Sequence, residues 1–274
     1  FKIGIFANAS YKESPLYLYD NTKKIADYTN KSMRFETGIL TQYDNQLLAS
    51  YGLAINYSKL EQETGFNWTE QFEYSKNYNE AFFKLSLDRL DGRTRSVSGV
   101  KGELNYVWGG TFGASKSNFG PLYQFDGYVP INKKFNFSYG FYGGVISGDN
   151  ILLDQYIKLG GTKNNIKNKE FAFYGYEVHQ KLVDQFLIGR LGLDYEISTN
   201  LYLGTNWNIG TYREAKEKSD TMDKNNNLLW EDYHQGFALS LTYETMFGPI
   251  EFSLSKDNKK GDVISQFSIG YIFD

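Results

Sequence analysis

The sequence predicts an all-β fold, a transmembrane antiparallel β-barrel of sixteen strands with fourteen as the alternative, and three observations carry that prediction. Apolar and polar residues alternate with period two along almost the whole chain, as they do where one face of a strand meets an apolar medium and the other a polar one. No stretch reaches the roughly 18 apolar residues of a membrane-crossing helix; the most apolar, Tyr139 to Ile146, is under half that length. The alternating segments run about 9 to 13 residues and often end in Tyr or Trp, matching tilted strands that cross a bilayer between aromatic girdles. Strands of a soluble sandwich are nearer roughly 5 or 6 residues.

Taken in order, Met33, Phe35, Thr37 and Ile39 oppose Arg34, Glu36 and Gly38, and Ala49, Tyr51, Leu53, Ile55 and Tyr57 oppose Ser50, Gly52, Ala54 and Asn56. Ala81, Phe83, Leu85 and Leu87 then oppose Lys84, Ser86 and Asp88, and Phe135, Phe137, Tyr139 and Phe141 oppose Asn136, Ser138 and Gly140. In the second half Leu191, Leu193, Tyr195 and Ile197 oppose Arg190, Gly192, Asp194 and Glu196, and Phe237, Leu239, Leu241 and Tyr243 oppose Ala238, Ser240, Thr242 and Glu244. Candidate strands cover residues 1–10, 31–43, 46–58, 66–77, 80–90, 97–109, 118–130, 133–147, 186–198, 200–212, 232–246, 248–257 and 262–273. Thirteen is odd and single-chain bacterial barrels are even, so a further strand is expected within Leu16 to Tyr28 or Phe171 to Val183. Short turns (Asp44-Asn45, Asn132 to Lys134, Ser198 to Asn200) alternate with longer polar loops such as Glu214 to Leu228, the end-to-end asymmetry of outer-membrane barrels.

Composition agrees. The 274 residues are 18% aromatic yet have a mean hydropathy of -0.50, because the aromatics occupy one strand face and its ends while the other face and the loops are polar. A net charge of -3, from 29 basic and 32 acidic residues, gives no polybasic surface and no expected nucleic-acid partner. Without cysteine there is neither a disulfide framework nor a thiolate metal site. The chain opens at Phe1 with no Met and no leader pattern, which suggests a mature or trimmed product.

One span does not alternate. Residues 148–185 form a long insertion, expected on the extracellular side of a single barrel domain covering 1–274, and it is too rich in aromatics and patterned glycines for a linker. It contains Leu159-Gly160-Gly161 and Tyr174-Gly175-Tyr176, five strands follow it, and the penultimate strand begins Met246-Phe247-Gly248-Pro249-Ile250-Glu251-Phe252-Ser253. This order resembles the barrels of outer-membrane insertases and two-partner secretion transporters, and most of all the C-terminal translocator barrel of type Vd (patatin-like) autotransporters. The resemblance implies a loop that carries a Leu-Gly-Gly element and an Arg-Gly-Tyr/Phe element into the lumen. Tyr174 stands where that arginine is expected, which leaves the lumen-facing Arg190 to pair with Asp194 and Glu196 and makes these three the candidate wall contacts of the loop. Phe267, Ile269, Gly270, Tyr271 and Phe273 form the closing aromatic strand, the candidate assembly signal.

The implied role is a bacterial outer-membrane translocator and anchor that exports or displays its own N-terminal passenger through an upstream periplasmic module. The alternatives are an insertase of the same superfamily and a porin-like solute channel. Outer-membrane lipid and the barrel assembly machinery are implied partners, with a homodimer as an alternative assembly. No enzymatic activity is expected of the barrel, although a passenger could be a lipase. His179 and His234 lack a Gly-x-Ser-x-Gly elbow and read as solvated loop or rim residues. No metal and no cofactor are expected; the Asx-rich Asp220 to Asn227 lacks the glycine and closing glutamate of a calcium loop.

Overall fold

The structure, a computed structural model, describes residues 1–20, 23–65, 74–91, 96–109, 118–148, 151–215, 233–259 and 261–270. Among the described residues fourteen strands join one sheet, the alternative count rather than sixteen. Twelve form the wall in sequential antiparallel order: β1 (Lys2–Asp20), β2 (Lys23–Gln42), β3 (Leu47–Gly65), β4 (Tyr74–Asp88), β5 (Gly99–Gly109), β6 (Asn118–Pro130), β7 (Phe135–Ile146), β10 (Lys181–Ser198), β11 (Leu201–Glu214), β12 (His234–Thr245), β13 (Gly248–Asp257) and β14 (Val263–Ile269). The other two, β8 (Ile157–Leu159) and β9 (Glu170–Phe171), lie in the long insertion, β8 antiparallel to the start of β10 and β9 parallel to β8.

Three sequence expectations change. The stretches expected as 66–77 and 80–90 are not two strands: β4 runs unbroken from Tyr74 to Asp88, residues 66–73 lying outside the described ones. Asn77 and Asn79 pair with Tyr57 and Ile55 of β3, so the ladder runs through the place where the two strands were expected to part. The segment Leu16 to Tyr28 hides no additional strand; it supplies the ends of β1 and β2, which reach 19 and 20 residues. These are about twice the 9 to 11 residues that span a bilayer, so this hairpin projects beyond it. Phe171 to Val183 gives only the end of β9 and the start of β10.

The outward face is apolar and exposed, as lipid requires: Leu191 and Leu193 on β10, Phe237, Leu239, Leu241 and Tyr243 on β12, Phe252 and Leu254 on β13. Adjacent strands reinforce it with ring pairs, Trp207 on Phe237 at 6.3 Å and Phe135 on Tyr195 at 4.6 Å. The expected short turns are all present at one end, periplasmic in barrels of this type. Asp44 accepts from the backbone N–H groups of Gln46 and Leu47, and Asn132 from those of Lys134 and Phe135, so each tight turn is closed by its own Asx side chain. Asn200 takes φ 64° in the third. Of the expected loop Glu214 to Leu228, residues 216–228 lie outside the described ones.

The inner face is polar through β2 to β4, where Arg34 bonds Glu36 at 2.8 Å, Asn56 at 2.9 Å and Glu80, while Lys84 reaches Glu36 at 3.2 Å. On the opposite side it turns apolar at the loop end. Leu122, Tyr142, Ile146, Val183, Phe186 and Ile188 point inward and form, with loop residues, the largest buried apolar cluster. A wet channel would not line itself this way; these side chains are buried because the insertion covers them.

Candidate functional site

The insertion between Ile146 of β7 and Lys181 of β10 packs back on the inner face of the wall, and β10 begins five residues before the expected Phe186. A short 3-10 turn, Leu153–Gln155, leads to β8; a second, Ile166–Asn168, is capped by the Asn165 side chain, which accepts from Asn168 N–H at 3.1 Å. The two motif elements meet here. Gly160 N–H donates to Phe171 C=O at 3.0 Å and Gly161 N–H to Tyr176 C=O at 3.1 Å. Gly160, at φ 132°, could carry no side chain, since a Cβ would stand 1.9 Å from Glu177 O. At the tip Tyr176 N–H closes a turn on Phe173 C=O at 3.2 Å, with Gly175 at φ 87° in the position that requires a positive value.

The tip seats on the wall through backbone approach. Gly236 of β12 faces the carbonyl of Tyr174, and Gly175 faces the backbone of Asp257 on β13; a Cβ would lie 2.0 Å and 2.2 Å from those atoms respectively. Around this contact the side chains interlock. Tyr176, fully buried, shares its hydroxyl with Tyr212 at 2.9 Å and with His234 Nδ1 at 2.7 Å. Phe173 stacks on Tyr176 at 4.7 Å, and Phe171 packs on Phe186 at 4.5 Å. Tyr174 is buried at the tip, on the side of Arg190 of β10.

The other half of the loop crosses to β2, β3 and β4. Asp154 accepts from Ser58 Oγ at 2.9 Å, from Asn30 Nδ2 at 3.5 Å and from the Tyr74 hydroxyl. Val178 and His179 meet β1, the Tyr19 hydroxyl donating to Val178 O at 3.4 Å and Tyr17 lying 5.8 Å from the His179 ring, while Gln266 of β14 donates to Tyr176 O at 3.4 Å. The loop is thus held from both flanks of the wall.

Leu159, Gly160, Gly161, Tyr174, Gly175 and Tyr176 therefore come together. The pairing expected for Arg190 is corrected: it bonds Asp126 of β6 at 2.7 Å, not Asp194 or Glu196. Those two lie nearer the short turns, Asp194 beside Gly204 and Glu196 with its N–H on Lys134 O at 2.8 Å. Phe267 and Ile269 face outward on β14, and Gly270, at φ 93°, donates to Pro249 O; Tyr271 and Phe273 lie outside the described residues. The histidines are not solvated rim residues. His179 is buried with Nε2 3.3 Å from Glu170, and His234 belongs to the tip cluster. Asp126, Tyr142 and Gly236 carried no sequence signal beyond their inward parity, and Asp154, in the irregular insertion, carried none.

Residues 11–273 match the OMP85 superfamily. The chain belongs to that superfamily. It is a bacterial outer-membrane barrel. BamA from Haemophilus ducreyi lacking POTRA domains 1–3 has the same fold, with a TM-score of 0.72 and 15% identity over 97% of this chain and 58% of that one. The chain thus spans little more than half the length of that relative. An outer-membrane channel from Pseudomonas putida F1, 11% identical over 97% of this chain and 91% of that one, superposes with a TM-score of only 0.39. No curated protein matches the chain.

Loop electrostatics give a pH prediction. Burial pulls the ammonium of Lys169 down to about 8 from 10.5, outweighing the attraction of Asp154 and Glu80, and it lowers Lys158 as well. Burial raises Glu170, but the hydrogen bond from His179 and the charge of Lys158 hold its carboxyl below the usual range. For a lysine depressed in the docked state, the free loop binds more protons between the two values, so docking strengthens as pH rises from about 8 toward 10 and the penalty is complete below 8. Burial raises Tyr174 and Tyr176, whose contribution is present below their ordinary value of 10.0 and is lost as pH rises above it, which closes the window there. Spontaneous openings of the purified barrel in planar bilayers should become rarer from pH 7.5 to 9.5, conditions chosen on about 1.4 kcal/mol per pH unit. Openings that stay equally frequent or increase would contradict the assignment of buried lysine charge as a loosening force.

Proposed function

We propose that this barrel is the translocator and anchor domain of a type V secretion protein of the patatin-like kind, displaying or exporting an N-terminal passenger through an upstream periplasmic module. The observation that carries this reading is the loop, which crosses the inner face of the wall, fixed to β2–β4 by Asp154 and to β10–β13 by its tip. A porin-like channel needs the opposite. Tyr174 in place of the motif arginine also suits a barrel specialised for its own passenger better than a general insertase. Residues 1–274 act as one barrel domain in this scheme, inserted by the assembly machinery, and any hydrolytic chemistry belongs to the passenger. The test uses the full-length protein in cells: protease accessibility of the passenger on intact cells should disappear when the barrel is deleted. A passenger that remains membrane-anchored and surface-exposed without the barrel overturns the proposal. In planar bilayers, deletion of residues 152–179 should convert a nearly silent barrel into one with stable conductance.

A further inference from the structure

The lipid-facing side of the wall is not evenly filled. Across β10 to β13 it carries two cross-strand rows. In the row nearer the short turns, Leu193 lies opposite Thr205, Thr205 opposite Leu239 and Leu239 opposite Leu254. In the next row away from them, Leu191 lies opposite Trp207, Trp207 opposite Phe237 and Phe237 opposite Lys256. Thr205 is the small member of this set, and its hydroxyl turns back onto the Leu193 carbonyl at 3.4 Å, so the gap it leaves is not lined by a free hydroxyl. Trp207 stacks on Phe237 at 6.3 Å and walls the gap on one side. The product is an apolar groove of about 560 Å³ that reaches from Phe137 of β7 to Lys256 of β13 and Val263 of β14.

Lys256 gives the groove a polarity. It is the last residue but one of β13, at the end of the wall away from the turn at Gly248, and it is exposed with the same outward parity as Phe252 and Leu254. Other cations of outward parity at this end are neutralised within the wall. Arg213 of β11 is held by both carboxylate oxygens of Asp184, at 2.7 and 2.8 Å, and Lys31 of β2 and Lys59 of β3 share Glu61. Among the described residues no carboxylate pairs with Lys256, and its neighbours in the row are Phe237 and Val263. A lysine so placed lays its stem along apolar surface and presents its ammonium at the level of the lipid headgroups.

We propose that this groove is a site for one outer-leaflet lipid whose headgroup carries an uncompensated phosphate. An acyl chain lies in the gap over Thr205, against Leu193, Trp207 and Leu239, and the phosphate rests on the Lys256 ammonium. The groove volume falls within the roughly 300 to 1,000 Å³ of small-molecule sites, and its lining suits a chain and not a polar solute. A zwitterionic lipid fills the same groove but brings its own cation to the phosphate, so it leaves Lys256 without a counter-charge. The site lies on the outer side of the strands that seat the loop tip through Gly236 and Asp257, so a bound lipid braces from outside the ladder that the tip meets from within. This inference rests on the outer-membrane location and is independent of whether the barrel serves a passenger.

Trp207 lines the groove and becomes its reporter once Trp68, Trp108 and Trp230 are replaced by Phe. The barrel is placed in phosphatidylcholine vesicles that contain a lipid brominated on its acyl chains, which quenches a tryptophan it touches. Brominated phosphatidic acid should quench Trp207 with about a fivefold preference over brominated phosphatidylcholine of the same chains, the scale of one lysine facing an anionic headgroup. Lys256→Gln should bring the two lipids to parity, and Lys256→Arg should keep the preference. Thr205→Leu, which fills the gap, should lower quenching by both lipids and remove the preference. Excess inorganic phosphate should leave the parent unchanged. Equal quenching by the two lipids in the parent overturns the site, and so does a preference that survives Lys256→Gln. A preference that survives Thr205→Leu overturns the groove as the seat of the chain, and displacement by inorganic phosphate would assign Lys256 to a free anion instead. Folding is checked by heat-modifiable gel mobility, and if Thr205→Leu does not fold, the parent and Lys256→Gln still decide.

Discussion

Gly236→Val is expected to push the loop tip off the wall and open the lumen. A Cβ at this position would stand 2.0 Å from the Tyr174 carbonyl oxygen and 2.5 Å from Asn208 Oδ1. The first neighbour is backbone, and Gly236 itself is pinned in the ladder opposite Asn208 on β11 and Asp257 on β13, so the strand cannot retreat. The tip has to move. With it go the Tyr176 bonds to Tyr212 and His234. These two neutral hydrogen bonds together represent roughly 1 to 3 kcal/mol of docking energy, or about tenfold to a hundredfold in the docked population. The chain has no cysteine, so maleimide labelling of a single reporter, Ala172→Cys in the buried part of the loop, reads undocking and should rise accordingly, with sustained conductance in planar bilayers. Gly189→Ala is the control: it sits beside Arg190, but its Cβ would meet only Ile209 Cγ2 at 4.0 Å. A Gly236→Val barrel that folds, stays silent and leaves Ala172→Cys protected would mean that the tip does not seat where the backbone approach places it.

The same residues mark how far the sequence could be read. Period two identifies the wall, its lipid face and the short turns, because a strand between lipid and lumen has a different medium on each side at every step. The glycines of the two loop elements were legible for a related reason: Gly160 and Gly175 stand where only a residue without Cβ fits, and such positions leave a mark in the sequence. Partners across the lumen leave none. Alternation puts Arg190 and Asp126 on the inner face without indicating that they meet across β7, and the nearer Asp194 and Glu196 on Arg190's own strand looked the better candidates. The run from Tyr74 to Asp88 was divided for a complementary reason. Where strands rise out of the bilayer both faces become polar, and the rule that reveals them in the membrane stops applying. His179 looked solvated because burial in an irregular loop has no period at all.

Asp154→Ala should release the first half of the loop while leaving the tip in place. Its carboxylate gathers Ser58 of β3, Asn30 of β2 and Tyr74 of β4, and the Asp154 N–H also approaches the Tyr74 hydroxyl at 3.3 Å. Removing the acceptor leaves those donors facing an emptied site, and hydrogen bonds to a charged group contribute about 1.5 to 3 kcal/mol each. Even with water entering the gap, a fiftyfold rise in exposure of this arm is a fair order of magnitude, about 2.3 kcal/mol. The reporter is Leu152→Cys, buried in the parent beside the 3-10 turn. Asp154→Asn, which retains an acceptor oxygen without the charge, should fall between parent and alanine. The decisive comparison crosses the two arms. Between them β8 is paired to both β10 and β9, a short ladder that neither substitution touches, so each arm should respond alone. Asp154→Ala is expected to expose Leu152→Cys and spare Ala172→Cys, and Gly236→Val to do the reverse. If either substitution exposes both cysteines equally, the plug moves as one rigid body, and occlusion of the lumen depends on a single equilibrium instead of two independent ones.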